Sequence, residues 1–331
     1  MPTSLKTLLV TGAYGFVGAN VCKYFLNKGW QVVAVEGPQR LDWRLSPQPQ
    51  LRAVQVDITD AAAVAQLLQD TQPHCVVNAA AYGAYASQTC AERIYAVNCD
   101  GVRHLLEAAQ DLPGLQAFVQ LGSSSEYGAN CAAPGEEAAT WPDSHYAVSK
   151  VSASALVRMY ALKHAVPAFV LRLYSVYGPY EDTSRLIPRL LQEAQVGKLP
   201  PLVHPNIARD FVYVEDVCRA IEQVVARAAS LKKGDYFNIG SGVCTRLADL
   251  VDTACKTFAL QARPSWGSMP ARHWDHANWC ANPAHAKQHL LWQAQTGLRD
   301  GLLQTMQWMQ HNAALLPTAV AHSVLNASAP N

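Results

Sequence analysis

The stretch TGAYGFVGAN near the amino terminus places Gly12, Gly15 and Gly18 between the apolar run TLLV and the start of a helical pattern. Glycines here let a strand turn sharply into a helix and let the backbone approach a diphosphate at the positive end of that helix. A strand, a glycine turn and a helix in this order point to parallel strands, because each parallel pair needs a long, usually helical, crossover.

The rest of the first half repeats that alternation. QVVAVE, a helix near 61–69, CVVNAAA, a helix near 94–110, AFVQLGS, a helix near 149–164 and AVPAFVLRLYSV follow a first helix over 17–28. The expected fold class is α/β, a Rossmann-type doubly wound parallel sheet over 1–177 with a smaller mixed C-terminal substrate-binding lobe over 178–331. Prolines 179, 188, 200, 201 and 205 break the pattern where the smaller lobe should begin, while RDFVYVEDVCRAI and DYFNIGSG should carry 209–242 back to the first domain.

Composition narrows the partners. A chain of 331 residues with a formal net charge of +1 offers no basic field for nucleic acid. No run reaches the roughly 18 apolar residues of a membrane helix, and the opening MPTSLKTLLVTG reads as a first strand rather than a signal-peptide core. Nine cysteines, odd in number and never in a CxxC pair, indicate neither a disulfide framework nor a zinc ribbon, so a reducing cytoplasm is expected.

QVVAVE ends in Glu36, eighteen residues beyond Gly18, where a carboxylate can accept hydrogen bonds from the adenosine ribose of a dinucleotide. That carboxylate would repel a 2′-phosphate and favours NAD; Arg40 could instead pair with such a phosphate, which keeps NADP open. Downstream, SHYAVSK sets Tyr146 and Lys150 four residues apart, on one face of a helix. A phenol is a poor base at neutral pH unless nearby positive charge stabilises its phenolate. LGSSSEYG, at the end of a neighbouring strand, offers Ser123, Ser124 and Ser125 beside Glu126 as partners for the same substrate oxygen.

These residues resemble the extended short-chain dehydrogenase/reductases that act on nucleotide sugars: 4-epimerases, 4,6-dehydratases and 4-ketoreductases. TGAYGFVG, VDITD, NAAA, VNCDG, the serine strand, YAVSK, LRLYSVYGP, RDFVYVEDV, FNIGSG and WCANPAHAKQHLLW carry the resemblance over nearly the whole chain. It implies that Tyr146 is the base, that Lys150 lowers its pKa and binds the nicotinamide ribose, and that Ser123 or Ser124 holds the reacting oxygen. Counting back from Tyr127–Gly128 favours Ser123. It further implies a cofactor set of Gly12, Tyr14, Gly15, Phe16, Val17, Gly18, Glu36, Arg40, Asp57, Ile58, Ala79, Ala80, Ala81, Asn98 and Tyr174 with the catalytic pair. A substrate set of Tyr85, Gln88, Ser124, Ser125, Ser175, Arg185, Arg209 and Arg272 follows in the same way, the arginines facing a nucleotide diphosphate. Relatives commonly dimerise through two helices, here 94–110 and 149–164, so a homodimer is expected.

Departures from the family pattern bear on the reaction. Ser175 stands where many relatives have asparagine, and serines stand where dehydrating relatives carry acids after the catalytic hydroxyl. Glu126 would reach that place only if the loop were shifted by one residue. The expected activity is therefore an NAD-dependent nucleotide-sugar epimerase with transient oxidation at C4. The alternatives are an NAD(P)H-dependent 4-ketoreductase, a 4,6-dehydratase and a dinucleotide sensor without chemistry. His273, His276, His285 and His289 have helix-like spacings, but Pro283 interrupts them and no metal is expected.

Overall fold

The computed structural model describes residues 6–38, 42–269 and 277–315. Its larger part is built from β1 (Thr7–Thr11), α1 (Phe16–Asn27), β2 (Gln31–Glu36), β3 (Leu51–Gln55), α2 (Ala61–Thr71), β4 (Cys75–Asn78), α3 (Ala91–Tyr95), α4 (Gly101–Gln110), β5 (Ala117–Ser123), α5 (His145–His164) and β6 (Ala168–Leu173). Then come β7 (Ser175–Tyr177), α6 (Leu186–Gln195), β8 (Ala208–Arg209), β9 (Phe211–Tyr213), α7 (Val214–Arg227), β10 (Tyr236–Ile239), β11 (Thr245–Arg246), α8 (Leu247–Phe258), β12 (Asn278–Trp279) and α9 (Leu298–His311).

Seven strands form one sheet in the order β10-β6-β5-β4-β1-β2-β3, every neighbouring pair parallel. This is the doubly wound Rossmann arrangement, with the order reversing beside β1. Alternation along β1 assigns its side chains to opposite faces. Leu8 and Val10 join Val21 and Phe25 of α1 and Ile221 of α7, whereas Leu9 joins Val64 of α2, Leu105 of α4 and Val157 of α5. A third cluster, with Leu190, Leu250 and Met306, holds α6, α8 and α9 together in the smaller part.

Two elements differ from the sequence expectation. The strand β3 was not marked by an apolar run, because LRAVQ lies at the sheet edge and keeps Arg52, Ala53 and Gln55 exposed. The helix expected over 94–110 is two helices joined by one wide turn at Ala96–Asp100, and it is this turn that carries Asn98.

Candidate active site

The site begins where β1 ends. Gly12 has φ +61°, and a Cβ there would lie 2.6 Å from the Ala80 nitrogen and 2.7 Å from the Ala79 carbonyl. A Cβ on Gly18 would come within 2.2 Å of the Gly12 oxygen, so helix and turn can pack this closely only with glycine at both places. Phe16 and Val17 open α1 behind this turn, with Gly15 at its N-cap. Glu36 closes β2 two strand widths from Ala79–Ala81, and its Oε1 is buried without a hydrogen-bond partner. Open backbone at a helix N-terminus beside a carboxylate oxygen in want of a donor fits an adenosine ribose and its diphosphate.

Asp57, Ile58 and Asn98 of the expected cofactor set make contacts within the protein. Asp57 accepts from the Thr59 amide at 3.0 Å and hydroxyl at 2.8 Å, and Ile58 packs against Gly101. Asn98 is 2% exposed. Its carboxamide accepts from Tyr82 N at 2.9 Å, donates to Tyr82 O at 2.8 Å and donates to Ser149 Oγ at 2.9 Å, so it braces the loop after β4 against α5. Tyr174 is buried with its hydroxyl unpartnered. The Tyr14 carbonyl accepts from Arg44 Nη1 at 3.2 Å. Arg40 lies outside the described residues.

Ser144 caps α5 by accepting from Ala147 N at 3.2 Å, which sets Tyr146 and Lys150 in its first turns. The Tyr146 hydroxyl is hydrogen-bonded to the Ser123 side chain, and burial pushes the phenol up from its usual range. The Ser123 bond and the charge of Arg185 pull the other way. Of the three serines, Ser123 is the one whose side chain bears on the Tyr146 hydroxyl. Ser123 Oγ also accepts from Ser125 N at 3.1 Å and is hydrogen-bonded to Ser125 Oγ at 2.8 Å, with either hydroxyl able to donate.

Lys150 is 3% exposed, and its Nζ donates to the Leu121 carbonyl at 2.5 Å. Burial lowers its pKa to about 8 against the opposing pull of Glu126 and Cys99. That carbonyl ends a buried polar ladder across three strands. Thr11 Oγ1 donates to Asn78 Oδ1, Asn78 Nδ2 to Gln120 Oε1 at 2.7 Å, and Gln120 Nε2 to Leu121 O at 3.0 Å. The glycine turn and the lysine are thereby tied through side chains that sequence spacing does not single out.

Glu126 is fully buried. Its Oε1 accepts from Ser123 N at 2.9 Å, closing a capping box S-x-x-E over the turn. Its Oε2 meets Arg172 Nε and Ser154 Oγ, each at 2.8 Å. Arg172 further donates to the Tyr127 hydroxyl and the Glu136 carbonyl, each at 2.8 Å. Both carboxylate oxygens are thus engaged inside the protein, three hydrogen bonds in all.

On the open side of Tyr146, Gln88 Oε1 accepts from Gly83 N at 2.9 Å and Tyr85 N at 3.3 Å, which folds the loop after β4 and presents Tyr85. The Arg185 guanidinium stacks 5.0 Å from the Tyr85 ring and donates to Ala84 O at 3.2 Å. Sequence reasoning passed over two neighbours. Arg44 is 6% exposed and donates from Nε to Tyr180 O at 2.9 Å. Glu181 carries a buried Oε2 with no partner. Neither belongs to a motif of recognisable spacing; only the fold brings them beside Tyr85.

Ser175 begins β7, its amide donating to Asp210 O at 2.9 Å. Arg209 sits in β8 between β11 and β12 with its guanidinium 5.5 Å from the Trp279 ring. Arg272, His273 and His276 lie outside the described residues. His285 pairs with Asp235 at 3.0 Å, and among the described residues no three His, Cys, Asp or Glu side chains come together to hold a metal ion.

The cysteine expectation needs one correction: Cys244 and Cys280 form a disulfide with a Cα separation of 5.3 Å. Thr245 and Trp279 both register on Arg209. Their chain neighbours therefore meet across the sheet end, a pairing that a sequence separation of 36 conceals. Among the described residues no helix is long and apolar enough to cross a membrane.

A seven-stranded parallel sheet carrying a glycine turn, a carboxylate at the end of its second strand and a Ser-Tyr-Lys cluster defines a dinucleotide-dependent oxidoreductase class. The NAD dependent epimerase/dehydratase family model matches residues 8–240, and the chain belongs to that family. It is an enzyme of the extended short-chain dehydrogenase/reductase type, and NAD is its cofactor. The low-salt glycan biosynthesis protein Agl12 of Haloferax volcanii is 30% identical over 89% of this chain and 96% of its own. A dTDP-glucose 4,6-dehydratase of Xanthomonas campestris is 27% identical over 93% of this chain and 94% of its own. The solved UDP-glucuronic acid 4-epimerase of Bacillus cereus, in complex with UDP-glucuronic acid and NAD, superposes with a TM-score of 0.78 at 26% identity, covering 92% of this chain and 99% of that one.

Proposed function

We propose that the protein is an NAD-dependent nucleotide-sugar 4-epimerase, in which Tyr146 is the base and Ser123 holds the reacting oxygen. The observation that carries this reading is the Ser123–Tyr146 hydrogen bond beside a Glu126 that is consumed by Arg172 and Ser154. A dehydratase needs an acid and a base next to the catalytic hydroxyl. Here those places are Ser124 and Ser125, and the nearest carboxylate in the turn faces inward.

NAD, when bound, would supply reversible hydride acceptance at C4, with the hydrogen restored on the opposite face once the sugar has turned. Tyr146 accepts the proton of the C4 hydroxyl as that carbon becomes a ketone and gives it back after the sugar has turned. Ser123 Oγ, aligned by the Ser125 amide, donates to the same oxygen. Gly12, Gly15, Gly18 and Glu36 would hold the dinucleotide, with Glu36 selecting NAD over NADP. Arg185 and Arg209 would bind the substrate diphosphate, and two copies would pair through α4 and α5.

The test is to denature the purified protein, identify released dinucleotide, and incubate fresh protein with UDP- and dTDP-hexoses without added cofactor. Interconversion of 4-epimers is the expected result. A 4-keto-6-deoxy product would establish dehydration, and conversion of a keto sugar only with added NADPH would establish the reductase. Tyr146→Phe should abolish turnover while leaving dinucleotide binding within about twofold.

A further inference from the structure

After Tyr177 the chain leaves the cofactor part through Gly178, with φ +144°, and Tyr180, a non-glycine residue at φ +70°. Both sides of this bend are anchored. Asn20 of α1 donates to Pro179 O at 2.9 Å, and Arg44 joins Tyr180 O to Tyr14 O in the glycine turn. Beyond it, Asp182 Oδ1 accepts from Ser184 N at 2.8 Å and Ser184 Oγ at 2.6 Å, turning the chain into α6, whose N-cap is Arg185. Glu181 sits between these anchors, between the cofactor turn and the Tyr85–Arg185 pair that bears on Tyr146.

The residue is half-buried, but its Oε2 is fully enclosed and meets no partner, while the nearby Gly178 amide favours the charged carboxylate. Such a group is costly to leave unmade. We propose that Glu181 is a specificity-determining residue that hydrogen-bonds a hydroxyl of the bound hexose at a carbon other than C4. The proposal rests on the nucleotide-sugar reading above. Facing the carboxyl are Arg185, which draws it toward the charged form, and Asp182, which opposes that; Tyr85 and, through it, Arg44 complete the surroundings. Burial outweighs them and pushes the carboxyl up to about 8, so at neutral pH it is uncharged. An uncharged carboxyl both donates and accepts. It suits a neutral hydroxyl and does not repel the diphosphate nearby.

Calorimetric titration of the NAD-loaded protein with UDP, dTDP, UDP-glucose and dTDP-glucose separates the sugar contact from the nucleotide contact. Glu181→Ala should weaken the sugar nucleotide bound by the wild type about tenfold while leaving the matching diphosphate unchanged. Glu181→Gln, whose amide also donates and accepts, should restore most of that loss. Equal weakening of diphosphate and sugar nucleotide, or no weakening of either, overturns the proposal. A wild type that binds diphosphates without preferring the sugar nucleotides also overturns it, with nucleotide binding left standing. A wild type that binds none of the four removes the nucleotide-sugar reading and this proposal together.

Discussion

Gln120 and Lys150 meet at one atom, their Nε2 and Nζ donating to the Leu121 carbonyl oxygen at 3.0 and 2.5 Å. The lysine is held by backbone that is itself fixed through Asn78 to the end of β1. Gln120→Leu removes the acceptor of Asn78 Nδ2 and leaves a buried amide unpaired. A loss of about 1–3 kcal/mol is expected, read as a lowered urea midpoint at unchanged slope.

Lys150 titrates at about 8 in the folded chain against 10.5 when free. Below about 8 both folded and unfolded forms carry the proton, and the cost of burying the charge is present in full. Between about 8 and 10.5 only the unfolded form keeps it, so this residue's contribution to stability improves as pH rises through that window. Lys150→Met should therefore be more stable than the wild type by about 1–3 kcal/mol at pH 7. The advantage should shrink by pH 10 in paired denaturation curves, and an advantage independent of pH would contradict this origin.

Breaking the buried Glu126–Arg172 pair should be among the most damaging changes to the free protein. Glu126→Ala strands a guanidinium that is 3% exposed, with an expected loss of about 3–5 kcal/mol. The double variant Glu126→Met/Arg172→Met should recover much of it. If Glu126 served as a catalytic acid instead, Glu126→Gln would remove turnover at a temperature where the variant is still folded; retained turnover there is expected.

The Cys244–Cys280 link closes the end of the small sheet that contains Arg209. Asp210 holds the same two loops, accepting from Ser241 N at 2.6 Å, Gly242 N at 2.8 Å and Ala281 N at 3.1 Å. Cys244→Ser should lower stability by about 2–4 kcal/mol without reductant, and the difference should vanish when thiol reductant is present. A difference that persists in reductant would point to packing at Cys244 instead.

What could be read from the sequence was local. Gly12, Gly15, Gly18 and Glu36 stand at fixed offsets within one strand-helix-strand unit, and Tyr146 and Lys150 lie one helical turn apart, so short-range geometry was enough. The expectation of Ser123 over Ser124 comes from the family resemblance, by counting back from Tyr127–Gly128. Long-range pairing was not legible: Arg44 with Tyr180, Glu126 with Arg172, Cys244 with Cys280, and Glu181 beside Tyr85 all depend on how separate elements meet. The edge strand β3 was missed for a different reason, since a strand with one covered side carries little apolar signal.

Arg44 has a kinetic meaning. One guanidinium spans the Tyr14 and Tyr180 carbonyls, 2.9 Å from the second and 3.2 Å from the first, without backbone between them. The cleft cannot gape at that end without breaking at least one of these bonds, and slower departure of a dinucleotide is the expected consequence. On the epimerase reading proposed above, in which the cofactor is recovered in every turnover, such retention costs nothing, and Arg44→Ala should release NAD faster in a stopped-flow chase.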